Sequence, residues 1–385
     1  MDVAVVVPAG FDREKALARI AGIAGPAVRS ERVTLLSNAG RHLDLDAAES
    51  APAHLFAAAA GRFLRIFVVK EFAALYANDF TLAWLGLLLA DQGEGAELWL
   101  EIPNESSNAG RNLITPGFLA DRLPSASLAR AAKGWYCLPA SPAMAAEAAA
   151  LSTIYPAFHR RYDDFLETYG RATVGTEDTT AAQRDAAERS FIYGLYGANQ
   201  KSFVVEHILA EHGLQQTIRG FDAGGGYGFL AAELAAKGHD FLVSDYDEKK
   251  IDLVGPWIAQ RCGLGPRLRF VTERLEAIDH PREHYDVVSF FGCLLYLDRP
   301  NVPSVLSRAM HLLRPGGLLL VHENPRETGK PGSLDYERRF AADELAGLIQ
   351  GNAGLFTCYS MFTAKSVPWA RAARSVIMAA VQRSD

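Results

Sequence analysis

Two hydrophobic rhythms alternate along the chain. Short β-branched or apolar runs (VAVVV from Val3, then RVTLLS, FLRIFVV and ELWLEIP) are separated by stretches such as REKALARIAGIAG and LAWLGLLLAD. Brief apolar runs closed by Gly, Pro or polar positions read as strands, and apolar residues recurring every third or fourth position read as helices. Up to about residue 140 this predicts an α/β layer with a largely parallel sheet. Residues 141–214 differ: they are Ala-rich and helix-forming, broken by Pro156 and by the polar stretch TVGTEDTT. From Thr217 the alternation returns, with RGFDAGG, HDFLVSD, LRFVTE, YDVVSFF and GLLLVHE as five strands at βαβ spacing. TCYSMFTAK and SVIMAAVQR supply two more. The expected organisation is an α/β domain over 1–140, a helical connector or lid over 141–214, and a second α/β domain over 215–385.

The second α/β region echoes the first. Setting residue n against n + 222 pairs Leu98 with Leu320, Glu101 with Glu323, Pro103 with Pro325, Glu105 with Glu327 and Gly110 with Gly332. The same offset matches Phe118, Ala120, Asp121 and Leu123 with Phe340, Ala342, Asp343 and Leu345, nine identities in 26 positions. Upstream, Leu75-Tyr76 matches Leu295-Tyr296 at an offset of 220. A duplicated α/β unit is the expected origin.

Length and composition narrow the class. At 385 residues the chain exceeds a single typical domain, and 49% hydrophobic with 22% charged residues is globular composition. Net charge is −6, so attraction to phosphate backbones over the whole surface is not expected. The longest apolar run, Phe80 to Ala90, is too short to span a bilayer, and MDVAVVVPAG lacks the basic start of a signal peptide. Four widely spaced cysteines, Cys137, Cys262, Cys293 and Cys358, read as reduced thiols of a cytoplasmic protein.

One stretch carries chemistry. Phe221-Asp222-Ala223-Gly224-Gly225-Gly226-Tyr227-Gly228 runs into the helix-forming FLAAELAAKG. A strand that enters a glycine turn and then a helix start offers close backbone approach and outward N–H groups. An acid two residues before the first glycine repels a pyrophosphate and suits a ligand bearing an ammonium or another positive charge. Asp245 closes the next strand, where a carboxylate can accept two ribose hydroxyls.

On these residues the chain resembles the class I S-adenosylmethionine-dependent methyltransferases, over about Thr217 to Gln382. Asp222-x-Gly224-x-Gly226-x-Gly228 fits that family's first motif. The resemblance implies a seven-stranded Rossmann-like domain, S-adenosylmethionine as cofactor, Asp245 as the ribose acid and Tyr246 against the adenine. It also implies a contact at Ala223, adenine contacts from the main chain of Arg274 or Leu275, and Phe290 and Phe291 near the methyl-donor pocket. LLRPGGLLLVHE is similar to the family's helix-turn-strand into the fifth strand. The N-terminal copy has no glycine triad. Its turn at Pro8-Ala9-Gly10 carries one glycine and Asn38 stands at the place of the ribose acid, so it is expected not to bind the donor but to form a dimer or shape the acceptor site.

Two other readings stay open. Gly226-Tyr-Gly228-Phe-Leu-Ala231 also satisfies G-x-G-x-x-A, which would make the chain an NAD(P)-dependent oxidoreductase with its strand running on to Gly225. A non-catalytic module that senses S-adenosylmethionine is the other. If methyl transfer goes to a hydroxyl or amine, a base must take the proton. Tyr296, His322, Glu323 and Asn324, at or beyond the ends of the fourth and fifth strands, are the acceptor-side candidates. His322 and Glu323 alternate, so at most one of them faces the pocket. Tyr296 and Glu323 have twins in Tyr76 and Glu101, which favours packing or loop-capping roles. Cys293 reads as a buried thiol. Tyr193, Tyr196, Asn199, Gln200 and Lys201 form either a lid over the donor or a helix packed on the sheet. Lys249-Lys250 and His159-Arg160-Arg161 read as solvated faces. No N-P-P-Y stretch follows the fourth strand. A small-molecule acceptor is expected, with nucleic acid set aside because no basic, aromatic-studded face is visible.

Overall fold

The computed structural model describes residues 3–8, 11–24, 33–38, 63–70, 79–93, 95–102, 116–126, 129–132, 134–158, 181–323, 340–353, 355–360 and 376–382. They fall into two compact units, one drawn mainly from residues 1–166 and 180–196, the other mainly from 197–364 and 370–385.

The first unit contains β1 (Val3–Pro8), α1 (Arg13–Ala24), β2 (Val33–Asn38), β3 (Arg65–Val68), α2 (Asp79–Gln92) and β4 (Glu97–Glu101). Next come α3 (Pro116–Arg122), β5 (Ala129–Ala132), β6 (Trp135–Pro139), α4 (Pro142–Ala150) and α5 (Tyr155–Phe158). Its sheet has the order β2-β1-β3-β4-β6-β5, parallel except where β6 joins antiparallel to β4 and β5. The VAVVV run is buried throughout because β1 lies between two parallel neighbours. Sequence periodicity did not anticipate β5 and β6. ARAA carries little intrinsic strand preference, and its strand state comes from antiparallel pairing with WYCLP through the turn at Gly134.

The helix α6 (Ala181–Glu211) leads into β7 (Arg219–Ala223), α7 (Phe229–Ala236), β8 (Asp240–Asp245), α8 (Gly255–Arg261), β9 (Leu268–Thr272) and β10 (Tyr285–Phe291). Then follow α9 (Val302–Leu312), β11 (Leu313–Glu323), α10 (Ala342–Ala353), β12 (Phe356–Ser360) and β13 (Val376–Val381). All seven strands expected from the sequence are present. Their order is β12-β13-β11-β10-β7-β8-β9, with β13 antiparallel to both its neighbours. This is a Rossmann-like α/β fold with seven strands. Read from the other edge and without β9, the order and strand directions repeat those of the first sheet one for one.

The correspondence reaches side chains. Glu101 at the end of β4 accepts from the backbone N–H of Lys70, just past β3, at 3.1 Å. Glu323 at the end of β11 accepts from Leu294 N–H, just past β10, at 2.8 Å. In the first unit Arg19 also donates to Glu101, at 2.7 Å. In the second, Oε2 of Glu323 is buried without a hydrogen-bond partner among the described residues.

One face of the second sheet carries Phe221, Val288, Phe290 and Val321 into a core built with α9 and α10. This is why YDVVSFF is buried along almost its whole length: β10 is central and covered on both sides. No helix among the described residues is long and apolar enough to cross a membrane.

Candidate functional site

The site is built where β7, β8, β10 and β11 end. β7 stops at Ala223, and the chain turns through Gly224 (φ 69°) and Gly226 (φ 60°) before Gly228 caps α7. A strand that stops at Ala223 does not run to Gly225, which removes the register that a dinucleotide motif needs. Gly224 is required twice over. Its φ is left-handed, and a Cβ there would lie 2.7 Å from Cβ of Cys293. The turn is thus closed against the β10 loop, with Cys293 Sγ donating to Ala223 O at 3.2 Å. Burial pushes that thiol well above its usual range, with Glu323 and Asp222 adding to the effect, so it is a wall and not a nucleophile.

Asp222 is buried at the end of β7. Ser289, its register partner on β10, donates to Oδ1 at 2.7 Å. Burial raises the carboxyl to about 6, opposed by the Ser289 bond and the Lys201 ammonium, while Asp245 pushes it further up. Ser289 escaped notice in the sequence, although an isolated serine in an apolar central strand was the signal for it. Asp245 Oδ2 accepts from Gly226 N–H at 3.1 Å and Oδ1 from Asp247 N–H at 3.0 Å. The carboxylate therefore shapes the glycine turn and keeps acceptor capacity for a ligand's hydroxyls.

The other expected positions separate. Tyr246 is 67% exposed beside Asp245, and the Lys250 ammonium lies 5.8 Å from the ring centroids of both Tyr227 and Tyr246. Lys250 therefore belongs to the rim of the site and is not a featureless solvated charge. The Arg274 side chain is exposed and its backbone is extended. Leu275 reaches the turn, within 3.6 Å of where a Gly224 Cβ would stand. Of the aromatic pair expected at the pocket, Phe290 is in the core on the opposite face. Strand alternation allows only one of two neighbours to face the site, and that one is Phe291.

His322 is the register partner of Phe291 and stacks on it at 5.5 Å and 16°. It is 5% exposed, and neither ring nitrogen has a hydrogen-bond partner among the described residues. Burial pulls its pKa well below the ordinary histidine range, and the Lys201 charge lowers it further. Glu323 points to the opposite side of β11. Burial raises its carboxyl to about 8, against the N–H groups of Leu294, Cys293 and Leu295. It caps the main chain past β10 and is a loop anchor whose protonated form burial favours. Tyr296 is 52% exposed. Asn324, Tyr76 and the His159-Arg160-Arg161 run lie outside the described residues, as do the side chains of Tyr193, Tyr196 and Gln200. Lys201 is described, with its ammonium 5.6 Å from the Phe291 centroid.

The strand-turn-helix with an acid on each side is the arrangement that a family model describing a methyltransferase domain matches, over residues 221–317. Over those residues the chain matches the methyltransferase-domain family. The expected family is thereby borne out. The tRNA 5-carboxymethoxyuridine methyltransferase of Escherichia coli (strain K12) is 29% identical over 161 residues, 42% of this chain and 54% of that protein. The chain thus spans about half the length of the curated relatives it matches. Among solved structures, the 1,6-didemethyltoxoflavin-N1-methyltransferase of Burkholderia thailandensis is 23% identical with a TM-score of 0.39, over 58% of this chain and 87% of that one. Magnesium protoporphyrin IX methyltransferase from Synechocystis PCC 6803 is 18% identical with a TM-score of 0.40, over 60% and 99%. One expectation is corrected here. Nucleic acid was set aside for lack of a basic face, yet the curated relatives of the methyltransferase domain are named for a tRNA substrate. A whole-chain charge count is blind to an acceptor recognised by a few local contacts.

Proposed function

We propose that the chain binds S-adenosylmethionine at the β7–α7 turn and transfers its methyl group to an oxygen or nitrogen nucleophile. The observation that carries this is the pair of carboxylates around one turn. Asp222 ends β7 under the first glycine, and Asp245 holds the Gly226 N–H at 3.1 Å. The residues fit the donor. Gly224 and Gly226 leave the backbone bare, Asp245 takes the ribose hydroxyls, Tyr246 and Leu275 flank the base, Asp222 attracts the ammonium group, and Cys293 with Phe291 bounds the thioether side. Bound there, the donor supplies an electrophilic methyl carbon on a sulfonium.

The chain's own contribution is alignment and exclusion of water, the largest part of what an in-line displacement needs. With Glu323 committed to Leu294 N–H, His322 is the group on the Phe291 face able to hydrogen-bond and orient a hydroxyl or amine acceptor. The acceptor set comprises small molecules with such a nucleophile and tRNA. For the first unit we propose a role without donor binding, since the turn after β1 has no glycine triad and Asn38 ends β2 where Asp245 ends β8.

Titration calorimetry with S-adenosylhomocysteine tests the donor. Transfer of labelled methyl to fractionated RNA and small-molecule pools then tests the acceptor. Micromolar binding of the nucleoside is expected; binding of NADH instead would overturn the reading.

A further inference from the structure

The Lys201 ammonium has no hydrogen bond and no ion pair within 4 Å among the described residues, and it lies 5.6 Å from the Phe291 ring centroid. The same ring carries the His322 imidazole, stacked at 5.5 Å, with both ring nitrogens buried and unpartnered. Removing an imidazole N–H from water without a partner is unfavourable, and a ligand with two acceptor oxygens can satisfy it while pairing with the half-buried Lys201 ammonium. Asp222 and Glu323 lie close enough to act on the Lys201 charge from the ends of β7 and β11. The Asp222 carboxylate disfavours a dianion such as phosphate at this place but tolerates a singly charged planar group.

Resting on the donor reading above, we propose that Lys201 and His322, gathered around Phe291, form a carboxylate-binding site in which the ammonium and one imidazole N–H donate to the two oxygens. Burial and the Lys201 charge both hold His322 in its neutral form, which keeps one N–H donor. Two molecules of the reaction could bring that carboxylate. One is the amino-acid end of the donor, whose ammonium would then lie toward Asp222. The other is an acidic acceptor, in which case a carboxylate oxygen attacks the methyl carbon, the carbon–sulfur bond breaks, and a methyl ester forms with no proton to remove.

The test uses the full chain, Lys201→Met and His322→Phe, titrated with S-adenosylhomocysteine and with 5′-methylthioadenosine, which lacks the amino-acid end. If the donor's carboxylate is the occupant, Lys201→Met weakens S-adenosylhomocysteine at least tenfold, His322→Phe does so more mildly, and 5′-methylthioadenosine affinity stays unchanged. If the acceptor's is, donor affinities hold in both variants. Wild-type protein saturated with S-adenosylhomocysteine then binds carboxylate probes (benzoate, malonate, 5-carboxymethoxyuridine), and Lys201→Met loses that binding. Unchanged S-adenosylhomocysteine affinity in Lys201→Met, together with no carboxylate binding that depends on Lys201, overturns the site while leaving the donor reading intact. Wild-type protein that binds neither nucleoside would instead refute the donor reading. Retained 5′-methylthioadenosine affinity shows that the variants are folded.

Discussion

Replacing Glu323 by glutamine isolates the cost of a buried, capping carboxyl. In the folded protein Glu323 has its carboxyl raised from 4.5 to about 8, chiefly by burial, while one oxygen accepts from Leu294 N–H. The folded state therefore keeps a proton that the unfolded chain releases near its ordinary pKa. A raised acid makes its full contribution below the unfolded value, and stability declines as pH rises from about 4.5 to about 8. At about 1.4 kcal/mol per pKa unit the ceiling is about 5 kcal/mol, and relaxation around the charged form reduces the expected loss to roughly 2–4 kcal/mol. Glutamine keeps the acceptor oxygen for Leu294 and has no proton to lose. Urea unfolding of wild type and Glu323→Gln at pH 5, 6.5 and 8.5 measures the difference. The variant should match wild type at pH 5 and exceed its stability by roughly 2–4 kcal/mol at pH 8.5. Asp222, raised in the same direction, is common to both proteins and cancels. Parallel stability curves, differing by less than about 0.5 kcal/mol across that range, would refute the reasoning.

Other outcomes follow from the same geometry. Asp245→Ala removes the acceptor for Gly226 and Asp247 N–H groups together with the proposed ribose contacts, and should weaken S-adenosylhomocysteine by roughly 100-fold or more in calorimetry. Gly224→Ala places a Cβ 2.7 Å from Cys293 at a left-handed φ, and should lower stability by about 2 kcal/mol or more in urea unfolding while abolishing nucleoside binding. Cys293, buried and with its thiol raised, should resist iodoacetamide in native protein while exposed Cys358 is modified, as peptide mass mapping would show. Fast native labelling of Cys293 would mean that the β10 loop does not close on the glycine turn.

Strand order and the position of the glycine turn were legible in one dimension. Five apolar runs at βαβ spacing and two more in the tail became seven strands, and Asp222 with Asp245 stood where a strand end and a carboxylate were expected. The offset of 222 between Glu101 and Glu323 foretold two sheets of one strand order. The β5–β6 hairpin was not legible, because ARAA owes its strand state to a partner strand rather than to its own composition. Which residue of an alternating pair faces the ligand was likewise open. Periodicity says that Phe290 and Phe291, or His322 and Glu323, point opposite ways, but not which way is inward.

By itself, then, the sequence determined the element types, the turn and its acids, since these depend on local backbone preference and on spacing along the chain. Only the tertiary structure decided that Glu323 anchors the main chain past β10, that His322 stacks without a polar partner on Phe291, and that Lys201 comes to the same ring from a helix 90 residues earlier. Those roles depend on what sits across the sheet and on how much water is left there, and no local pattern encodes either.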